Sequence, residues 1–255
     1  MTRLLSGVAL AAIAFAAVWL LPIGGLRILA CVVALVAARE YLAMIHPERR
    51  PPQTVPLMIL VALTCWRMSA GRPDVLSLLL LTIVWLSIEV TFRGFAVERA
   101  AARFLAPWYL GMPLGMLAAI QALGGRMAAV LLIATVAVSD IAQYYTGRLV
   151  GRRTLAPTIS PKKTVEGALG GLVAATLFMS LAGPEVLPLA RRTSLAALGV
   201  LVAALGICGD LFESRLKRIA GVKDSSALIP GHGGALDRID ALLFATPAFY
   251  LYLQD

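Results

Sequence analysis

Long apolar runs separated by short polar strips dominate this chain. Stretches rich in Leu, Ala, Val and Ile cover about residues 4–22, 25–45, 55–70, 75–92, 104–122, 127–149, 165–182, 194–213 and 239–254. A helix needs roughly 20 mostly apolar residues to cross the hydrocarbon core of a bilayer, and most of these runs come close to that length. The pattern predicts an all-α, polytopic integral membrane protein with about nine transmembrane helices, the third of them short. The first run, headed by Arg3, resembles a secretion leader. No persuasive small-residue cleavage site follows it and a second span begins at once, so it is expected to stay as the first helix. The connections leave no room for a soluble domain. The expectation is one membrane-embedded domain over 1–255, with scaffold helices over 1–125 and the chemistry-bearing helices and loops over 126–255.

Composition agrees with this pattern. Hydrophobic residues make up 60% of the 255 and charged residues only 15%, against about 45–50% and about 25% in soluble domains. The charges that remain are unevenly placed. With the N-terminus in the cytoplasm, only Arg27, Arg67, Arg72, Arg126, Arg191 and Arg192 of the 23 Lys and Arg fall on the far side. That bias follows the positive-inside rule and predicts that the polar strips 148–166 and 214–238 face the cytosol. The formal net charge of +9 is then a cytosolic surface facing anionic lipid headgroups. No basic region stands apart from the spans, so nucleic acid is not expected as a partner. Cys31, Cys65 and Cys208 lie far apart in apolar company and read as packing residues, not as a disulfide framework or a zinc site.

The first half carries ordinary flanking charges. Glu40, in Arg39-Glu40-Tyr41, and Glu89 sit near helix ends, where reaching out to the interface accounts for them. The second half differs. Asp140 lies well inside the sixth run, and an ionisable residue at that depth usually faces a protein interior or a wet cavity. Gln143, Tyr144 and Gly147 share its helical face. Next comes Ser160-Pro161-Lys162-Lys163-Thr164-Val165-Glu166-Gly167, a polar loop running into a helix that starts near Thr164. Free backbone N–H groups, hydroxyls and ammonium charges at such a start suit a phosphate, though Thr164 alone also suits a plain N-cap. Gly167, Gly170 and Gly171 form a small-residue face of the kind that lets helices pack closely.

Most polar chemistry sits between Gly209 and Asp240. Asp210, Ser214 and Lys217 fall on one helical face, and Asp237 and Asp240 share a face at the start of the last helix. Acids brought together there would repel unless a cation lay between them. Oxygen ligands without a supporting thiol or second His suggest Mg²⁺, with Asp210, Asp237 and Asp240 as candidates. Lys217, Arg218, Lys223 and Arg238 are candidate phosphate-holding cations, with Asp224 beside Lys223. His232, between glycines that include Gly233 and Gly234, lies in a loop suited to wrapping phosphate oxygens. No GxxxxGK[ST] loop, GxGxxG turn or nucleophile elbow is present, so any nucleotide must use an unrelated, membrane-embedded site.

At these residues the chain resembles the phosphatidate cytidylyltransferase (CDP-diacylglycerol synthase) family. Ser214 to Asp240 follows the family signature at every named polar and glycine position, without insertion. The segments around Ser160–Gly167 and Asp140–Gly147 are similar to two further family motifs. Val165 stands where an aromatic is usual, Gln143 replaces a small residue, and Ala235 replaces a larger aliphatic; none of these removes a charge. The resemblance implies transfer of CMP from CTP to phosphatidate, releasing pyrophosphate, in a bacterial inner membrane. Asp210, Asp237, Lys223 and Asp224 would form the catalytic group, with Mg²⁺ and K⁺ as cations. Asp140, Ser160, Lys162, Lys163, Thr164, Glu166, Ser214, Lys217, Arg218, His232, Gly233, Gly234 and Arg238 would contact substrate, and a homodimer is implied. Two other readings stay open at this point: a CTP-dependent polyprenol or phytol kinase, and a secondary transporter motivated by Asp140.

Overall fold

The structure is a computed structural model that describes residues 12–45, 54–71, 74–93, 96–228 and 233–254. The described part of helix α1 covers residues 12–20. Helices α2 (Ile23–Ile45), α3 (Val55–Met68), α4 (Val75–Arg93) and α5 (Val97–Ala106) follow. A π-helical turn over Pro107–Gly111 then leads into α6 (Met112–Val150). Strands β1 (Thr154–Ala156) and β2 (Ser160–Thr164) separate α6 from α7 (Val165–Val186), α8 (Arg192–Ile219) and α9 (Leu236–Tyr252).

Five helical stretches among the described residues are long and apolar enough to cross a membrane: Ile23–Ile45, Val75–Phe92, Val97–Val150, Val165–Val186 and Arg192–Ile219. Leu76, Phe92, Leu177 and Leu181 on these stretches are exposed, as lipid-facing side chains are. The protein is an all-α integral membrane protein. The nine expected spans do not map one to one. Helix α3 has only 14 residues and α9 only 17, and the start of the first run lies outside the described residues. The expected fifth and sixth spans merge into the 54-residue stretch Val97–Val150. It is broken at Gly125, whose φ of 79° and ψ of 176° leave the helical region. That conformation is cheap for glycine alone.

The chain forms two compact units, Met1–Ala119 with Asp224–Asp237, and Ile120–Lys223 with Arg238–Asp255. In the first, α3 packs against the π turn and the start of α6 almost backbone to backbone. A Cβ on Gly111 would press on the Val61 carbonyl, and one on Gly115 would collide with the Cys65 carbonyl. Tyr41 donates to the Ala102 carbonyl at 2.8 Å and meets Tyr109 edge to face at 5.8 Å. Glu89 does not reach out to an interface as expected. It is fully buried and paired with Arg103 at 3.0 Å, whose guanidinium lies 5.2 Å from the Trp85 ring. A carboxylate inside this apolar unit is tolerable only with such a partner. The Cys31 thiol donates to the Ala62 carbonyl of α3 at 3.8 Å.

In the second unit, α7 lies against α6 through the expected glycine face. A Cβ on Gly167, Gly170 or Gly171 would strike Gln143, Thr146 or Ser139. Further along α7 the buried stripe passes to α8, where Gly199 lies under the Ala175 carbonyl. Small residues let these helices approach where solvent exclusion gives no driving force.

Candidate functional site

The loop expected over 160–163 is an antiparallel strand pair, with Thr154 opposite Thr164 and Ala156 opposite Ser160. This hairpin is held at its base. The Glu166 carboxylate accepts the backbone N–H groups of Arg152 at 3.0 Å and Arg153 at 3.2 Å. Thr164 is the N-cap of α7, its hydroxyl accepting from the Gly167 N–H at 3.1 Å. Both residues therefore serve the local fold, and what they fix is the position of the lysines. Lys162 is exposed, while the half-buried Lys163 turns in and bonds the Asp210 carboxylate of α8.

Asp210 sits where it does because of Gly209. A side chain there would collide with the backbone carbonyl of Asp240, so glycine lets α8 lie directly on α9. Phe212 and Phe244 continue that contact at 5.5 Å between ring centres. As a result Asp210 and Asp240 lie within electrostatic range of each other and of Asp140 on α6. The Gln143 amide donates to Asp140 at 3.1 Å, and Ser214 donates to Asp210 at 3.4 Å. One turn on, Lys217 is paired with Glu213, which is fully buried. Arg218 donates to the Ile159 carbonyl at 3.4 Å, linking the end of α8 to the hairpin turn. Lys223 and Arg238 are exposed. The second unit thus gathers Asp140, Lys163, Asp210, Ser214 and Asp240, three acids and a cation, at one place.

The first unit holds the other expected group. Here the Asp237 carboxylate accepts from Ser225 N–H at 2.9 Å, the Ser225 hydroxyl at 2.8 Å and Gly234 N–H at 2.7 Å, all on one oxygen. Gly233 adopts φ 78°, the left-handed region that favours glycine. Asp224 is exposed, with its Cβ facing Gly233. His232 lies outside the described residues. Glu40 does not reach out to an interface as the sequence suggested. Its carboxylate is buried and accepts from Ser226 hydroxyl at 2.6 Å, Leu236 N–H at 2.8 Å, Ala235 N–H at 3.0 Å and Ser225 hydroxyl at 3.1 Å. The available signal was a lone acid on an otherwise apolar helix, which needs donors wherever it is buried.

Oxygen donors of this kind suit a hard cation such as Mg²⁺. Within neither unit do the described residues bring three or more His, Cys, Asp or Glu side chains close enough to enclose an ion as placed. Asp210 instead holds the Lys163 ammonium. The donor chemistry fits, and an incoming divalent ion would compete with that lysine.

Partly exposed acids gathered around a lysine, among helices apolar enough to cross a bilayer, mark a polytopic membrane protein with a polar site. Comparison with known proteins narrows this. The chain belongs to the cytidylyltransferase family, whose description matches residues 1–254. It is 38% identical to the uncharacterized protein YnbB of Escherichia coli over 168 residues, covering 66% of this chain and 54% of that one. It is 45% identical to the phosphatidate cytidylyltransferase of Haemophilus influenzae over 119 residues, 45% of this chain and 41% of the relative. With the phosphatidate cytidylyltransferase of Thermotoga maritima it shares 37% over 186 residues, 70% and 68% of the two chains. The chain spans about half the length of the first two of these relatives.

Proposed function

We propose that this chain is a phosphatidate cytidylyltransferase: a phosphate oxygen of phosphatidate attacks the α-phosphorus of CTP, pyrophosphate leaves, and CDP-diacylglycerol forms. The observation that carries this reading is the pairing of Lys163 with Asp210 amid Asp140 and Asp240; Asp140, Lys163 and Asp240 fall in segments that resemble the family's motifs. Relatives named phosphatidate cytidylyltransferase support it.

The chemistry asks little covalent work of the protein. A phosphate monoester has a second pKa of about 6, so the lipid nucleophile is largely ionised at neutral pH and needs no general base. The task is to bring two polyanions together and to stabilise the charge that develops on pyrophosphate, as in other phosphoryl transfers. In this reading Lys163 exchanges Asp210 for a phosphate oxygen when substrate binds. Lys162, Lys217, Arg218, Lys223 and Arg238 hold further phosphate oxygens, and Ser160, Ser214 and the His232–Gly234 loop line the nucleotide. Asp224 orients Lys223. Asp210 and Asp240, with Asp237 by its place in the signature, are the residues that would hold Mg²⁺, and K⁺ beside it follows from the family resemblance. Bound there, the metal would offset triphosphate charge and assist the leaving group.

The bias of Lys and Arg between loops supports an inner-membrane enzyme with its N-terminus and reacting groups on the cytosolic side, and the family resemblance supports a homodimer. The deciding experiment gives the purified protein in detergent CTP, Mg²⁺ and phosphatidate. Pyrophosphate and CDP-diacylglycerol in equal amounts are expected. In a parallel reaction with a polyprenol or phytol in place of phosphatidate, release of CDP with the phosphorylated alcohol would instead make it a kinase and overturn the proposal.

A further inference from the structure

Glu40 is the least expected charged group in the first unit. It is 5% exposed, and its four donors all come from residues 225–236. Two are the backbone N–H groups of Ala235 and Leu236, at the start of α9 where helical N–H groups lack partners within the helix. Gly234 completes the seat, since a Cβ there would collide with both Glu40 oxygens and the Ser225 hydroxyl. This gives a physical reason for glycine at 234 that is separate from any ligand.

The Ser225 hydroxyl lies 3.1 Å from a Glu40 oxygen and 2.8 Å from an Asp237 oxygen. A hydroxyl has one proton to donate, so the two carboxylates share it. That same Asp237 oxygen also takes the Ser225 and Gly234 N–H groups. The orientation of Asp237 therefore depends on a segment whose other side is fastened by Glu40. We propose that Glu40 is a positioning residue: from α2 it anchors Ser225, Ser226, Ala235 and Leu236 and so sets the Asp237 carboxylate for the reaction. This rests on the cytidylyltransferase reading above for its effect on turnover, though not for the anchor itself.

The test uses the full-length chain in detergent, with hydrogen–deuterium exchange over 224–237 and CTP turnover as separate readouts. Glu40→Gln keeps the size of the side chain but replaces one acceptor with a donor facing donors. The Ala235 and Leu236 amides should then exchange at least about tenfold faster, as their buried hydrogen bonds to a charged carboxylate are lost. The Ser225 and Gly234 amides, which bond Asp237 and not Glu40, should accelerate with them; a purely local role would leave them unmoved. Turnover should fall about 10- to 100-fold, the usual cost of losing a group that orients a reacting one, with the KM for CTP little changed. Glu40→Asp, which retains the charge and both oxygens, should restore part of the protection and part of the turnover together. Ser226→Ala removes one donor and leaves the carboxylate intact. It should show the same pattern at smaller amplitude, and it carries the test if Glu40→Gln does not fold. Unchanged exchange across the segment overturns the proposal whatever the chain catalyses. Faster exchange with wild-type turnover overturns it too. A wild-type protein that makes no CDP-diacylglycerol sinks the activity reading, while the Ser225 and Gly234 amides still decide whether Glu40 positions Asp237.

Discussion

Replacing Lys163 with Met separates two roles that its contact with Asp210 combines. The side chains are 22% and 33% exposed, so the pair is only partly shielded from solvent. Solvated ion pairs of this kind contribute roughly 0.2–1 kcal/mol, well below the roughly 3–5 kcal/mol lost when a buried pair is broken. Lys163→Met should therefore leave thermal unfolding of the purified protein within about 1 kcal/mol of wild type. Catalysis should respond far more. A hydrogen bond to a charged group contributes about 1.5–3 kcal/mol, and each 1.36 kcal/mol is tenfold in rate, so kcat/KM for CTP should drop about 10- to 150-fold. The assay pairs pyrophosphate release over a CTP titration with unfolding in the same detergent. Near-normal kcat/KM would show that Lys163 does not hold phosphate. A large loss of stability that accounts for the lost activity would show that the pair is structural, and the argument from exposure would be wrong.

Asp210→Asn and Asp237→Asn should each abolish Mg²⁺-dependent incorporation of labelled CTP into lipid without lowering expression, and near-wild-type turnover in either refutes its place in the cation site. Glu89→Gln should destabilise the fold by about 3–5 kcal/mol, because it strands the buried Arg103 charge, while Glu89→Met combined with Arg103→Met should recover most of that. A single-variant loss near 0.6 kcal/mol, typical of a hydrogen bond between membrane helices, would show that the pair is no more than that. In a chain carrying Lys223→Cys or Arg126→Cys, an impermeant maleimide should reach position 223 from the cytosol and position 126 from outside, and the reverse pattern overturns the orientation.

The helices are legible in the sequence because unbroken apolar runs leave few alternatives, and Thr164 announces its helix through an ordinary capping pattern. The tight packing of Gly167, Gly170 and Gly171 is legible for a similar reason, since small residues at helical spacing have one common use in membranes. The hairpin is not. Ser160-Pro161-Lys162-Lys163 has no β-branched or alternating pattern, and the pairing depends on Glu166 clamping residues 152 and 153. Glu40 and Glu89 are also missed, because whether an acid near a helix end reaches water or turns inward is decided by its partners. For Glu40 these lie 185 to 196 residues further along the chain. The Asp210–Asp240 neighbourhood depends on Gly209, a residue whose importance shows only once two backbones meet.

The hairpin has a consequence for the lysine doublet. Successive side chains on a strand point to opposite sides, and β2 is held in register by the Thr164 cap at its end. Lys162 and Lys163 are therefore not interchangeable spares. Inserting or deleting a single residue within 160–163 would swap which of them turns toward α8, so this short ribbon should tolerate substitutions more readily than changes in its length.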